Sequence, residues 1–268
     1  MSFQAFGDES AGLAFVAYGT VLVPTQNIEE IETRIAKVKA EYGGSPADTL
    51  HCRVMFAPDA RRKSVWSRLT MDDVFALYSC LITEVKPRIV RTIVALANKN
   101  ELPDEIPGGS WEHSDKDFIG PMEWAPAWPF RDKQIACFCA QGTMIPISKW
   151  PGFDAVTFWP DPDSTLIEFS GGRRQFNQML GGYIDHGHGE QPEKIKVSYS
   201  QCAKPPLLQI ADLVAYVSQR AAKAKLSPLD LKFRKLNDAI GAEKVRVGVP
   251  PEGGIGFDIP NSLLERRS

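Results

Sequence analysis

Apolar residues fall along the chain in short runs that follow either the strand or the helical period. Phe3–Gly7 is the first such run, and the turn Ser10-Ala11-Gly12 joins it to a second, Leu13–Val23. Apolar, β-branched and aromatic runs joined by a glycine-bearing turn predict a hairpin, with Pro24 stopping its second strand. Ile28, Ile31, Ile35 and Val38 recur at helical spacing and predict a helix over Ile28–Tyr42, capped by Asn27 and ended by Gly43-Gly44. After a short segment around Leu50–Phe56, a helix is expected over Asp72–Val85, and Pro87 leads into the strand Ile89–Ala97. Residues 98–130 then lose both periods, with Gly108-Gly109, several prolines, and Trp111, Trp124 and Trp128. So long an irregular connection is usually a functional lid or an insertion.

Regular patterning resumes as a helix at Asp132–Met144, a strand at Ala155–Trp159, a helix at Arg173–Ile184 and a strand at Ile195–Tyr199. Helices over Leu207–Ala224 and Leu229–Ile240 complete the series. Helices alternating with strands after an opening hairpin predict an α/β domain with a mixed sheet flanked by helices. It would cover residues 1–240, with the irregular insertion at about 98–130. Residues 241–268, containing Pro250-Pro251 and several glycines, carry little signal and are expected to be a C-terminal tail.

The 268 residues are 43% apolar and 24% charged, enough apolar material for a sizeable core and close to the globular average, which excludes global disorder. No apolar run approaches the roughly 18 residues of a membrane span, and the opening nine residues lack a basic region and contain Asp8 and Glu9. They read as neither a secretory signal nor a transit peptide. A net charge of −2 argues against coating nucleic acid by bulk charge but leaves room for a local basic cleft. Cys52, Cys80, Cys137, Cys139 and Cys202 are an odd set in a chain of this size, so reduced thiols and a cytoplasmic location are expected.

The candidate chemistry is acidic. Asp8 and Glu9 end the first strand, and Asp161 and Asp163 follow a later one in Trp159-Pro160-Asp161-Pro162-Asp163. Strand ends are where α/β sheets place binding groups, although Asp beside Pro is also ordinary turn chemistry. Asp212 interrupts the almost wholly apolar segment Leu207–Val217, which reads as a buried helix. Gln209, Asp212, Tyr216, Gln219 and Lys223 share one stripe of that helix. A buried carboxylate is costly unless it is paired or binds a cation, so Asp212 is either a metal ligand or a salt-bridge or hydrogen-bond partner. Strand-end carboxylates joined by one from a late helix suit a hard divalent cation, since Mg²⁺ takes a few carboxylates together with water and phosphate oxygens. Two such ions about 4 Å apart can activate water and stabilise the leaving oxygen of a phosphodiester.

Other residues extend this picture. His51 would assist proton transfer or contact a phosphate, or make a structural hydrogen bond. Asp185-His186-Gly187-His188-Gly189-Glu190 offers two imidazoles without standard zinc spacing and reads as a solvated turn. Arg220, Lys223, Lys225, Lys232, Arg234 and Lys235 concentrate positive charge after Asp212, with Arg61-Arg62-Lys63 and Arg173-Arg174 as further basic runs. Such a face attracts phosphates or is simply solvated. The tryptophans would stack unpaired bases or pin the insertion to the core.

Phe6-Gly7-Asp8-Glu9-Ser10, Leu50-His51 and Leu208-Gln209-Ile210-Ala211-Asp212-Leu213 resemble the motifs of the domain of unknown function 3800 family over roughly residues 3–225. That family is regarded as ribonuclease H-like. The resemblance implies a ribonuclease H-like mixed sheet, a nuclease-like site with Asp8, Glu9 and Asp212 as metal ligands, and Asp161 or Asp163 completing the set. With no G-x-S-x-G elbow, P-loop or G-x-G-x-x-G after a strand, the expectation is a Mg²⁺- or Mn²⁺-dependent phosphodiesterase, a hydrolase acting on DNA or RNA. Asp8, Asp161 and Asp212 would hold the metal, and Glu9 would be a further ligand or orient the attacking water. Two other readings stand beside it: a non-catalytic nucleic-acid or protein-binding module, and a phosphodiesterase of small nucleotides.

Overall fold

The computed structural model describes residues 2–103, 105–106, 110–115, 118–123, 128–129, 132–149, 155–161, 195–197, 205–223, 227–249 and 256–264. Asp163, Trp124, Cys202, Lys225, the expected helix Arg173–Ile184 and the histidine cluster at 185–190 lie outside the described residues.

The opening hairpin forms as expected, from β1 (Ser2–Ala11) and β2 (Phe15–Pro24), paired from Phe3↔Pro24 to Ala11↔Val16. Its second strand starts two residues later than Leu13, which stands fully exposed at the tip. β3 (Arg91–Asn98) runs antiparallel to β2. Within the expected insertion, β4 (Glu105–Ile106) pairs with β7 (Trp128–Pro129), and β5 (Ser110–Asp115) with β6 (Phe118–Glu123), as two small sheets. β8 (Ala155–Pro160) is parallel to β1, and β9 (Ile195–Val197) is parallel to β8.

The expected tail, 241–268, instead contributes β10 (Glu243–Gly248), parallel to β3, and β11 (Gly256–Asp258), antiparallel to β10. Lys244, Val245, Arg246 and Val247 alternate exposed and buried, a strand period too brief to stand out among the surrounding glycines and prolines. Arg91, buried in β3, fastens this end by donating to the carbonyls of Leu263 and Ser262 and pairing with Glu243. Among the described residues these strands form one mixed sheet of seven in the order β11-β10-β3-β2-β1-β8-β9.

Helices cover both faces. α1 (Ile28–Glu41), α4 (Met71–Val85), α6 (Pro206–Ala221) and α7 (Pro228–Ile240) gather on one, and α5 (Asp132–Lys149) packs on the other. The short helices α2 (Cys52–Met55) and α3 (Pro58–Arg61) lie in the connection between α1 and α4. Central strands buried on both faces read as near-continuous apolar runs, and β2 is buried from Val16 to Pro24. Strand alternation divides the two cores. Phe6, Ala17, Val21 and Val94 join the α6 side, whereas Phe3, Ala5, Tyr18 and Phe158 join the α5 side.

Local chemistry explains the helix boundaries. Thr70 and Asp73 form a reciprocal capping box at the start of α4, as Ser227 and Asp230 do for α7. Gly43, at φ +82°, supplies the left-handed turn that ends α1. α6 rests unusually close to the sheet because β2 presents Gly19 to it. A Cβ there would lie 2.7 Å from Ala215 N, 2.8 Å from Ala211 O and 3.0 Å from Val214 Cβ. Two of those atoms belong to the helix backbone and cannot rotate away. Gly19→Ala is therefore expected to lower unfolding free energy by about 1–3 kcal/mol in urea titration. Gly248→Ala, where a Cβ would meet nothing within 4 Å, should change it far less.

Candidate functional site

Acids gather at the carboxyl ends of the neighbouring parallel strands β1 and β8. Phe6 and Trp159 are register partners whose rings stack on the α6 side, 6.5 Å between centroids. The period of two puts Asp8 on the same face as Phe6. Asp161 continues the ladder, its N–H donating to Gly7 O at 3.0 Å. Both side chains are buried, and Asp8 Oδ1 accepts the Glu9 N–H at 2.9 Å.

Asp212 lies on α6, which packs on the same face of β1 and β2. Asp8 pairs across the hairpin with Gly19, the residue against which Ala211 and Ala215 rest. The close approach thus puts the Asp8 strand position and the Asp212 helix turn at one level of the sheet–helix interface. Asp212 is 3% exposed. Its Oδ2 accepts the Cys52 N–H at 2.8 Å and meets His51 Nδ1 at 3.0 Å. Three residues earlier, Gln209 Oε1 accepts the Leu50 N–H at 2.9 Å. Residues three apart on a helix are surface neighbours, so Gln209 and Asp212 together clamp the chain at 50–52. The imidazole is held on its Nδ1 side and remains half exposed at the edge of a cleft.

Glu9 stands apart from this group. The pleat turns it to the α5 side with its register partner Tyr18. Burial pushes the Tyr18 phenol well above its ordinary range, and the carboxylates of Glu9, Asp8 and Asp161 add to that effect. Burial likewise pushes the Cys137 thiol up to about 12, with Glu9 the secondary cause. Asp8 and Glu9, adjacent in sequence, therefore belong to opposite faces of the sheet, although Glu9 still borders the cleft.

The cleft has a volume of about 1030 Å³ and is bordered by Glu9, His51, Arg53, Asp212, Tyr216 and Arg220, among others. The stripe expected on α6 is largely realised, since Asp212, Tyr216, Gln219 and Lys223 all line it. Tyr216 stacks on Phe56 with centroids 5.4 Å apart and planes within 6°. The Arg220 guanidinium lies 5.2 Å from the Tyr216 ring centroid and donates to the Tyr216 hydroxyl at 3.2 Å. Burial raises the Tyr216 phenol above its usual value, partly offset by Arg220.

The basic run after Asp212 does not act as one face. Lys223 pairs with Asp230, Lys232 with Asp72, and Arg234 donates to the carbonyls of Lys223 and Ala221. Arg61 is buried on the carbonyls of Met55 and Leu69, and Arg62 pairs with Asp59. Arg53, which sequence reasoning missed, lines the cleft two residues beyond His51. Its only signal was that proximity to His51. Of the tryptophans in the insertion, Trp111 lies in β5 and Trp128 in β7.

Among the described residues, no three His, Cys, Asp or Glu side chains are placed to hold one metal ion. The donor chemistry nevertheless suits a hard cation in part. Asp8 and Asp161 are two oxygen donors at neighbouring strand ends, and Mg²⁺ is typically bound by one or two carboxylates with water and phosphate oxygens. Among the described residues, no helix is long and apolar enough to cross a membrane. Comparison with protein families finds no matching family model, and comparison with curated proteins finds no match.

The Gln209 clamp has a measurable weight. Gln209→Ala leaves the buried Leu50 N–H without its acceptor, and an unsatisfied buried donor costs about 1–3 kcal/mol. Urea denaturation should register that loss, and hydrogen exchange should quicken at residues 50–52.

Proposed function

We propose that the chain is a divalent-metal-dependent phosphodiesterase acting on nucleic acid, built on a ribonuclease H-like α/β domain. The observations that carry this reading are the two buried acids Asp8 and Asp161 at neighbouring strand ends and the buried α6 carboxylate of Asp212, which lines a cleft that also holds cationic side chains. The five strands β3-β2-β1-β8-β9, with only β2 reversed, support the ribonuclease H-like assignment. So does the resemblance of the Asp8-Glu9-Ser10 and Gln209-Ile210-Ala211-Asp212 motifs to the domain of unknown function 3800 family.

On this reading Asp8 and Asp161 hold Mg²⁺ or Mn²⁺, with Asp212 and Asp163 as the remaining candidate ligands. Bound metal would lower the pKa of water and neutralise charge developing on the phosphate. Asp212 also orients His51, whose imidazole at the cleft edge is positioned to contact a phosphate oxygen or exchange a proton with the substrate. Glu9, on the far face, acts from the cleft rim rather than beside Asp8.

A second reading, the non-catalytic binding module, is favoured by one observation: Asp212 Oδ2 already serves the backbone at Cys52 and the ring of His51. Mn²⁺ titration separates the two. The proposal expects Mn²⁺ to raise the melting temperature of the wild type but not of Asp8→Ala. It also expects hydrolysis of bis(p-nitrophenyl) phosphate and of oligonucleotides that chelation abolishes. Asp8→Ala and Asp161→Asn should each lose more than the roughly 10–100-fold typical of residues that only support a ligand, while remaining folded by circular dichroism. A wild type that neither binds Mn²⁺ nor cleaves any phosphodiester would overturn the reading in favour of the module.

A further inference from the structure

The cleft has two kinds of lining beyond its acids. The hairpin tip contributes Leu13, Ala14 and Phe15, with Leu13 fully exposed. α2 and α6 contribute Arg53 and Arg220. Among the described residues neither arginine makes an ion pair with a carboxylate, unlike Lys223, which is paired with Asp230. Arg220 is also held in advance of any ligand. Its guanidinium sits on a Tyr216 ring that is itself backed by Phe56, and its hydroxyl contact fixes one terminal nitrogen. A preorganised guanidinium that borders the cleft is a place for an oxyanion, because such forks match phosphate oxygens and lose little freedom on binding.

We infer that the cleft binds a single-stranded polynucleotide, with Arg220 and Arg53 gripping a phosphate that is not the one at the acidic corner. Arg220 follows Asp212 by eight residues on α6, a backbone rise of about 12 Å, and its guanidinium reaches back over Tyr216, four residues from Asp212. A phosphate held there is a neighbour of one at the acidic corner, so a ligand meeting both carries more than one phosphate. The apolar hairpin tip suits exposed base faces. Single strands offer these beside their phosphates, whereas in a duplex the faces are stacked away. A cleft with cations on one set of elements and apolar groups on another matches a strand whose two edges differ in that way.

This inference rests on the proposed function, since it names the substrate of the same site, yet binding can be read without catalysis. Fluorescence anisotropy in EDTA, using labelled oligothymidylates from dinucleotide to octanucleotide and a duplex of the octanucleotide length, supplies that reading. Affinity should rise with strand length and exceed that for the duplex. Arg220→Ala should weaken octanucleotide binding about tenfold, the scale of one charge-assisted hydrogen bond, and lower the salt slope by about 0.7 for the lost phosphate contact. Arg53→Ala should act in the same direction, and Leu13→Ser should weaken the single strand more than the duplex. Equal or tighter duplex binding, or unchanged affinity in both arginine variants, would overturn the inference even if Mn²⁺-dependent cleavage is found. Selective single-strand binding without any cleavage would uphold it and defeat the proposed chemistry instead.

Discussion

The arrangement depends on one close contact, the backbone of α6 lying directly on β2 at Gly19. Helices ordinarily stand off a sheet by the length of interposed side chains. Here the missing side chain lets Ala211 and Ala215 approach strand backbone. That approach explains why α6 is buried on almost every side, and why its polar residues must find partners within the protein. It also sets the depth at which Asp212 enters, level with the strand position of Asp8.

Burying carboxylates is unfavourable unless donors or cations surround them. The protein answers this differently at each acid. Asp212 receives the Cys52 N–H and the His51 ring, and together with Gln209 it converts a connecting loop into a fixed wall of the cleft. Asp8 receives the N–H of its own neighbour, and Asp161 is anchored through its backbone to Gly7. Polar investment of this kind at the carboxyl ends of parallel strands, where α/β sheets bind ligands, distinguishes the corner from an ordinary core. The pleat then sorts Asp8 from Glu9, one toward α6 and one toward Tyr18 and Cys137.

A similar logic governs the positive side of the cleft. Among the described residues, Arg61, Arg62, Lys223, Lys232 and Arg234 of the basic runs are engaged with nearby carboxylates or carbonyls. What distinguishes Arg220 is its seat on the Phe56–Tyr216 stack, which joins α6 to the connection between α1 and α4. The aromatic core beneath that stack, including Phe75 and Phe233, gives the guanidinium a rigid base.

Local pattern determined much of the fold. The opening hairpin, α1, α4, α6 and α7 were legible because each carries a strong period and chemical stops such as Pro24 and Gly43-Gly44. The acids were legible because they interrupt apolar segments, which composition alone exposes. β10 was not, since a strand with only Val245 and Val247 facing the core has no distinctive signal until β3 offers it an edge. Nor could sequence separate Asp8 from Glu9, identify His51 and Cys52 as the donors to Asp212, or single out Arg53 and Arg220 among the basic residues. Those facts depend on which face a pleat presents and on which distant segments meet, and periodicity along one chain does not encode the distance between two parts of it. Sequence supplies the acids and their local geometry; only the closeness of α6 to the sheet decides the level at which Asp212 enters relative to the strand position of Asp8.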